Sequence, residues 1–299
     1  MSAPIGFIGL GRIGLPIASQ LVAAGHQVVC CKRGRSTELV REGAQIAGDG
    51  SARAVAEAAP IVFTCLSAEA LAPVFEGPDG ILAAEGPAPL IVEMSTVRIA
   101  DKQRVRDKIA QRGGEVLDCP ISGTPPMVAA KRSMIFASGD PDAYERVAPL
   151  VTAISPGALH VGGFGDGTKL KYVANLLVCA HAVAAAEAMA FADIQGLDLE
   201  MVARVISQSP GASSGQFINQ SPMMAAGQFE GTQATIAETR EVLSQIATAA
   251  LDVGAWVPVL AVAQELFEGV GESGADEDHP AKLFDFMRQH AAASVQSEK

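Results

Sequence analysis

The stretch Ile5-Gly6-Phe7-Ile8-Gly9-Leu10-Gly11-Arg12-Ile13-Gly14-Leu15-Pro16-Ile17-Ala18-Ser19-Gln20-Leu21-Val22-Ala23-Ala24-Gly25-His26 decides the fold. A short apolar strand runs straight into glycines spaced G-x-G-x-x-G, and an amphipathic segment follows. Gly9 permits the tight turn out of the strand, Gly11 lets a pyrophosphate approach the backbone with no Cβ in the way, and Gly14 lets the next helix lie close to the sheet. Ile13, Ile17, Leu21 and Val22 recur at helical spacing, and Gly25 stands where a helix C-cap belongs. The helix N-terminus offers unpaired N–H groups and the positive end of its dipole to an anion. With 30 glycines in 299 residues, the spacing alone carries little weight. The strand before and the helix after make Gly9, Leu10, Gly11, Arg12, Ile13 and Gly14 a candidate dinucleotide-binding turn.

Further apolar runs at Gln27–Cys31, Pro60–Leu66, Leu90–Met94, Glu115–Ile121 and Met134–Ser138 read as strands, with Ala-rich helical segments such as Ser51–Ala59 between them. Strands rich in Val and Ile that alternate with helices are the pattern of a parallel sheet covered on both faces. From Thr168 onward the strand pattern stops. Lys169–Ile194 is one long run of Ala, Val, Leu and Met, interrupted by Lys171, Asn175, His181, Glu187 and Asp193, which weigh against a membrane span. Helical patterns follow at Leu199–Gln208, Gln233–Val253 and Pro258–Val270, and the tail after Ser294 reads as mobile. The expected architecture is α/β: a Rossmann-type doubly wound parallel sheet over residues 1–164, joined by a long central helix to an all-α domain over residues 165–299.

Composition narrows the function classes. The chain is 49% hydrophobic and 18% charged, which describes a folded protein with a large core. With 22 Lys and Arg against 33 Asp and Glu, the formal charge is −11, unsuited to nucleic acid or an anionic membrane surface. Five cysteines with no C-x-x-C pair fit a reducing cytoplasm and no zinc site, and the N-terminus has no basic region before its apolar run. The five histidines show no i, i+4 pair, so no metal is expected.

The end of the second strand approaches the adenosine ribose of a bound dinucleotide, where an acidic residue would accept from a free 2′-hydroxyl. Here the chain reads Cys31-Lys32-Arg33-Gly34-Arg35-Ser36. Lys32, Arg33 and Arg35 favour a 2′-phosphate and therefore NADP, with NAD possible.

Four separated motifs resemble the β-hydroxyacid dehydrogenases, which include 3-hydroxyisobutyrate dehydrogenase and, more distantly, 6-phosphogluconate dehydrogenase. They are the N-terminal glycine turn; Asp118-Cys119-Pro120-Ile121-Ser122-Gly123-Thr124; Gly165-Asp166-Gly167-Thr168-Lys169-Leu170-Lys171-Tyr172-Val173-Ala174-Asn175; and Arg240-Glu241 after Phe229. The resemblance covers nearly the whole chain. It implies that Lys171, four residues before Asn175, is the general acid/base and that Asn175 holds the substrate oxygen; it rejects Lys169. Helical geometry agrees, because residues one turn apart share a face. The resemblance further implies a substrate-carboxylate site at Ser122, Gly123 and Thr124, and cofactor contacts at Leu66, Ser67, Thr96 and Arg240. Thr124 replaces a family glycine, and Pro125 and Pro126 remove two N–H donors from the loop.

The reading that results is an oxidoreductase moving a hydride between NADP and a 3-hydroxy acid or the matching semialdehyde or keto acid. Two alternatives stand beside it: an imine reductase on the same scaffold, and a non-catalytic NADP-binding protein. Imine reductases that resemble this family usually carry Asp or Tyr at the lysine position, so Lys171 argues against that reading. The long apolar helix needs a covering surface, so a homodimer or homotetramer is expected.

Overall fold

In the computed structural model, which describes residues 3–230 and 234–297, the opening apolar run forms β1 (Ile5–Ile8) at the centre of a six-stranded parallel sheet. The other strands are β2 (Val28–Cys30), β3 (Gln45–Ile46), β4 (Ile61–Thr64), β5 (Leu90–Glu93) and β6 (Glu115–Asp118), in the order β3-β2-β1-β4-β5-β6. That order reverses direction between β1 and β4, the switch point at which doubly wound sheets bind ligands. Alternate residues bury on opposite faces: Ile5, Phe7, Phe63, Leu90, Val92 and Leu117 join one core cluster, whereas Ile8, Val62, Ile91 and Val116 join the other. Burial on both faces is why these strands read as unbroken apolar runs.

The connecting helices are α1 (Gly14–Ala23), α2 (Ser36–Arg41), α3 (Ala52–Ala58), α4 (Ala68–Glu76) and α5 (Ile99–Ala110). After β6 the predicted strand Glu115–Ile121 does not continue. Cys119-Pro120 breaks it, since proline has no N–H for a ladder. The chain resumes as β7 (Ile121–Ser122), and α6 (Pro125–Ala129) leads to β8 (Met134–Ala137), which pairs antiparallel with β7. Then α7 (Pro141–Ile154) and β9 (Leu159–His160) follow, with β9 parallel to β8. Strands β3 and β9, two residues each, are too short to leave a pattern in the sequence.

Helix α8 (Asp166–Ile194) is the predicted long helix, begun three residues earlier than read. By length and composition α8 could cross a membrane; its first turn is hydrogen-bonded to Asp118 at the end of β6. The chain divides within α8 into the units Met1–Lys171 and Tyr172–Lys299. Among the described residues the second unit is helical, with α9 (Leu199–Ile206), α10 (Gly215–Ala226), α11 (Ile236–Asp252), α12 (Pro258–Glu272) and α13 (Leu283–Ser297). Gln233, read as the start of the α11 pattern, lies outside the described residues; Thr235 and Glu238 form the capping box that starts α11. Helices α10 and α13 escaped the sequence reading, and the backbone stays helical past Ser294 to Ser297 where a mobile tail was expected.

The turn after β1 shows why its glycines are required. Gly9 has φ +101°, and a Cβ there would lie 2.1 Å from the Cys65 carbonyl oxygen; one on Gly14 would lie 1.9 Å from the Gly9 carbonyl oxygen. A Cβ on Gly11 would meet no protein atom within 4 Å. Gly14→Ala is therefore expected to cost about 3 kcal/mol, because backbone must yield, and Gly11→Ala under about 1 kcal/mol. Thermal unfolding of the two variants measures this, and equal midpoints would refute the packing argument.

Candidate active site

The carboxyl ends of the strands open into a groove of about 770 Å³ in the first unit. Its walls include Gly9, Leu10 and Gly11 from the β1 turn, Lys32 and Arg33 beyond β2, and Leu66 and Ser67 beyond β4. Lys32 and Arg33 are exposed cations. Opposite sign is present too: Asp49 lines the same groove, its carboxylate accepting from the Ser51 N–H (2.9 Å) and from Arg53 (2.9 Å). Those bonds to Ser51 and Arg53 hold its carboxyl down at about 2. Lys32 is fixed to this turn through its backbone N–H, which donates to the Gly50 oxygen at 2.9 Å.

Cys31 and Cys65 also line the groove. Burial first, and then the neighbouring Cys30 and Asp49, push the Cys31 thiol up to about 12, although Arg33 opposes the shift. Burial and Glu93 push Cys65 up to about 12, opposed by Lys102. Both groups are neutral thiols across the working range, so thiolate chemistry has no place here.

Beyond β5 and β6 lies a buried charge cluster that the sequence did not announce. Lys102 on α5 has a side chain with no solvent exposure; its Nζ is 2.7 Å from Glu93 Oε2 and donates to Asp118 Oδ1 (2.7 Å) and to the Ser95 carbonyl (2.6 Å). Burial alone would drive this ammonium down, but Asp118 and Glu93 outweigh it and the group is held above its ordinary value. Asp118 also receives the helix: Thr168 N–H donates to Oδ2 (2.8 Å) and Thr168 Oγ1 to Oδ1 (2.7 Å). The Gly167 N–H donates to Ser138 Oγ (2.9 Å), which itself reaches Asp118. A Cβ on Gly167 would lie 2.2 Å from the Phe136 oxygen, so this glycine lets the helix end sit against the strands.

The predicted site residues separate into those brought together and those not. Lys171 is 8% exposed, one turn along α8 from Thr168. Lys169 is exposed and paired with Asp166 at 2.8 Å. Asn175 is half-buried one turn further. Ser122, Gly123 and Thr124 are half-buried in the loop from β7 into α6; Gly123 approaches Ser133 so closely that a Cβ would lie 2.9 Å from that residue's own. Gln20 of α1 donates to the Val128 carbonyl, tying that loop's helix to the glycine turn's helix. Thr96 is half-buried beside Ser95, whose Oγ accepts from the Leu66 N–H at 2.8 Å. Arg12 and Ile13 lie in the turn itself, outside the groove wall.

Arg35 does not line the groove, and Arg240 belongs to the second unit. Arg35 makes a double hydrogen bond with Glu38 (2.7 and 2.6 Å), an i, i+3 pair at the start of α2. Arg240, in the second unit, pairs with Asp276 (2.8 Å) and with Glu268. The sequence reading missed the turn at Asp49–Ser51 and the cluster of Glu93, Lys102 and Asp118. Only the Asx turn Asp49-Gly50-Ser51 left a local signal.

Fold, glycine turn and groove define a dinucleotide-binding enzyme, an NAD(P)-dependent oxidoreductase. Residues 4–163 match the model of the NAD-binding domain of 6-phosphogluconate dehydrogenase, and residues 165–284 match the model described as NAD-binding of NADP-dependent 3-hydroxyisobutyrate dehydrogenase. The chain belongs to the β-hydroxyacid dehydrogenase family. It is 28% identical over 297 residues to 2-(hydroxymethyl)glutarate dehydrogenase of Eubacterium barkeri, covering 98% of each chain. It is 32% identical over 212 residues to an NAD-dependent L-serine dehydrogenase of Pseudomonas aeruginosa, covering 70% of each. Among solved structures, Psf3 in complex with NADP+ and 2-OPP superposes with a TM-score of 0.84 at 26% identity, over 95% of this chain and 99% of that one.

The thiol assignment is testable by sign. Because Cys31 and Cys65 are raised to about 12, and Cys30 and Cys119 are raised as well, thiolate appears only far above neutrality. At pH 8 a disulfide reagent should titrate fewer than one of the five cysteines in the folded chain and all five in denaturant. Rapid reaction of two or more native thiols would contradict the burial argument.

Proposed function

We propose that the protein is an NADP-dependent dehydrogenase of 3-hydroxy acids, or reductase of the matching semialdehydes or keto acids, with Lys171 as general acid/base. The observation that carries this reading is the separation of two lysines on one helix. Lys171 is buried at the anchored start of α8, whereas Lys169 is exposed and neutralised by Asp166. A lysine held out of bulk water near the strand ends is placed to exchange a proton with a bound hydroxyl.

The groove fits a dinucleotide. Gly11 has room for an approaching pyrophosphate where a Cβ would intrude, and Lys32 and Arg33 are the cations beside the expected ribose position. Bound there, the nicotinamide supplies the hydride acceptor or donor. Lys171 Nζ takes the hydroxyl proton in oxidation and returns it in reduction. Asn175, one turn on, holds the same oxygen, and the loop at Ser122, Gly123 and Thr124 receives the carboxylate. Leu66, Ser67 and Thr96 would hold the nicotinamide end. Arg33 and Lys32 favour a 2′-phosphate, and Arg35, engaged by Glu38, does not take part.

The enzyme works in the cytoplasm as a homodimer or homotetramer. The second unit exposes Val173, Leu177, Phe191, Ile194 and Trp256, apolar side chains that a second copy would cover. Static light scattering at micromolar concentration should give at least twice the mass of one chain; a monomer there sinks the assembly reading.

Three variants test the chemistry, by absorbance at 340 nm against a panel of 3-hydroxy acids. Lys171→Ala should lower kcat/KM about 10²- to 10⁴-fold while NADPH still binds. Arg33→Ala should weaken NADP binding by about 1.5–3 kcal/mol, the usual worth of a hydrogen bond to a charged group. Arg35→Ala should leave it nearly unchanged. Full activity in Lys171→Ala would overturn the mechanism, and equal effects of the two arginine changes would overturn the cofactor assignment.

A further inference from the structure

Glu93 and Asp118 are the last residues of adjacent parallel strands and stand opposite each other in the ladder. Two carboxylates so placed repel, and both are shut away from water. Lys102 stands between them, and Asp118 in turn faces the N-terminus of a 29-residue helix, accepting from the Thr168 N–H and hydroxyl. Every oxygen of Asp118 is engaged: Oδ1 by Lys102 and Thr168 Oγ1, Oδ2 by Thr168 N–H and, at 3.2 Å, by Ser138.

The same ammonium reaches the other segments around the groove. It holds the Ser95 carbonyl; Ser95 N–H donates to Glu93 Oε1 (3.0 Å), and Ser95 Oγ accepts from Leu66 N–H in the groove wall. The Cys119 N–H, at the start of the segment leading to Ser122, donates to the Glu93 carbonyl at 2.7 Å. Thr168, Lys171 and Asn175 stand at i, i+3 and i+7, one stripe of α8, so the orientation fixed at Thr168 sets where Lys171 points.

We propose that Lys102, through Asp118 and Thr168, is a positioning residue that aims Lys171 of α8 at the substrate and keeps it in register with the Ser95 and Ser122 loops. This rests on the reading of Lys171 as the acid/base. Lys102 touches neither substrate nor cofactor. Its effect is to hold one carboxylate, on the last residue of β6, as the common acceptor for the first turn of α8. The rate then depends on this bond more than ground-state binding does, because a small misplacement of the reacting group costs rate out of proportion to affinity.

The experiment compares Thr168→Val, Thr168→Ser, Lys102→Met and Lys171→Ala with the wild type, each as the full chain. NADPH fluorescence gives the cofactor Kd, steady-state kinetics give kcat and KM, and thermal unfolding gives the midpoint. Thr168→Val keeps the shape of the side chain and removes only its donor to Asp118. It should lower kcat at least tenfold, with KM and the NADPH Kd within threefold of wild type, and Thr168→Ser should restore kcat to within threefold. Lys102→Met, where it folds, should show the same split together with a lower midpoint. If Thr168→Val keeps wild-type kcat while Lys171→Ala is inactive, the positioning role is wrong and the acid/base reading stands. A rise in KM and Kd equal to the fall in kcat, or failure of Thr168→Ser to restore it, also overturns the proposal. Activity retained in Lys171→Ala removes the acid/base reading and this proposal with it.

Discussion

The ammonium of Lys102, closed off between Glu93 and Asp118, is the interaction on which the carboxyl edge of the sheet depends. Without it two buried carboxylates would face one another across adjacent strands with no cation between them. Breaking a buried pair of this kind by removing one partner typically costs about 3–5 kcal/mol. Glu93 Oε2 has no well-directed hydrogen bond of its own, so it relies on the nearby ammonium. The cluster therefore acts as a joint. Strand β5, strand β6, helix α5 and the first turn of α8 all lead into it, and Leu66 in the groove wall is tied to it through Ser95, whose Oγ accepts from the Leu66 N–H and whose carbonyl accepts from Lys102.

The same edge resolves an electrostatic mismatch. A chain of net charge −11 must hold an anionic dinucleotide, so attraction has to come from local groups. Lys32 and Arg33 line one end of the groove as exposed cations, and on the function proposed here they and the α1 N-terminus supply it. Asp49 is taken by Ser51 and Arg53, whereas Asp79, also in the groove wall, is largely exposed and 3.9 Å from Arg53.

How much was legible in the sequence follows from how local each cause is. The glycines of the first turn could be read because backbone carbonyls within the same turn or the adjoining strand end forbid a Cβ at Gly9 and Gly14. The parallel strands could be read because burial on both faces demands apolar residues at every position. Strand β3 could not, at two residues, nor could the break at Cys119-Pro120 be placed without the sheet. Lys102 was invisible for a different reason. It sits in Ile99-Ala-Asp-Lys-Gln-Arg-Val-Arg-Asp-Lys-Ile-Ala110, where it looks like one more cation on a solvated helix; only the convergence of two strand ends buries it. The ion pairs of Arg240 were hidden for a similar reason: its acids, Glu268 and Asp276, are 28 and 36 residues away, beyond any local pattern.

Helical periodicity then explains why one lysine and not its near neighbour could carry the chemistry proposed. Residues two apart on an α-helix are separated by about 200° around the axis, so Lys169 and Lys171 cannot serve the same face. Once Asp118 holds Thr168, the face toward the strand ends is chosen. Lys171, three residues on, returns to within about 60° of it and Asn175, seven on, to within about 20°. Lys169 is turned away by about 100°, and its pairing with Asp166 in solvent is the consequence. Where the helix is forced to begin thus sets the face on which Lys171 stands, and that start is held by a carboxylate whose own partner is one buried ammonium.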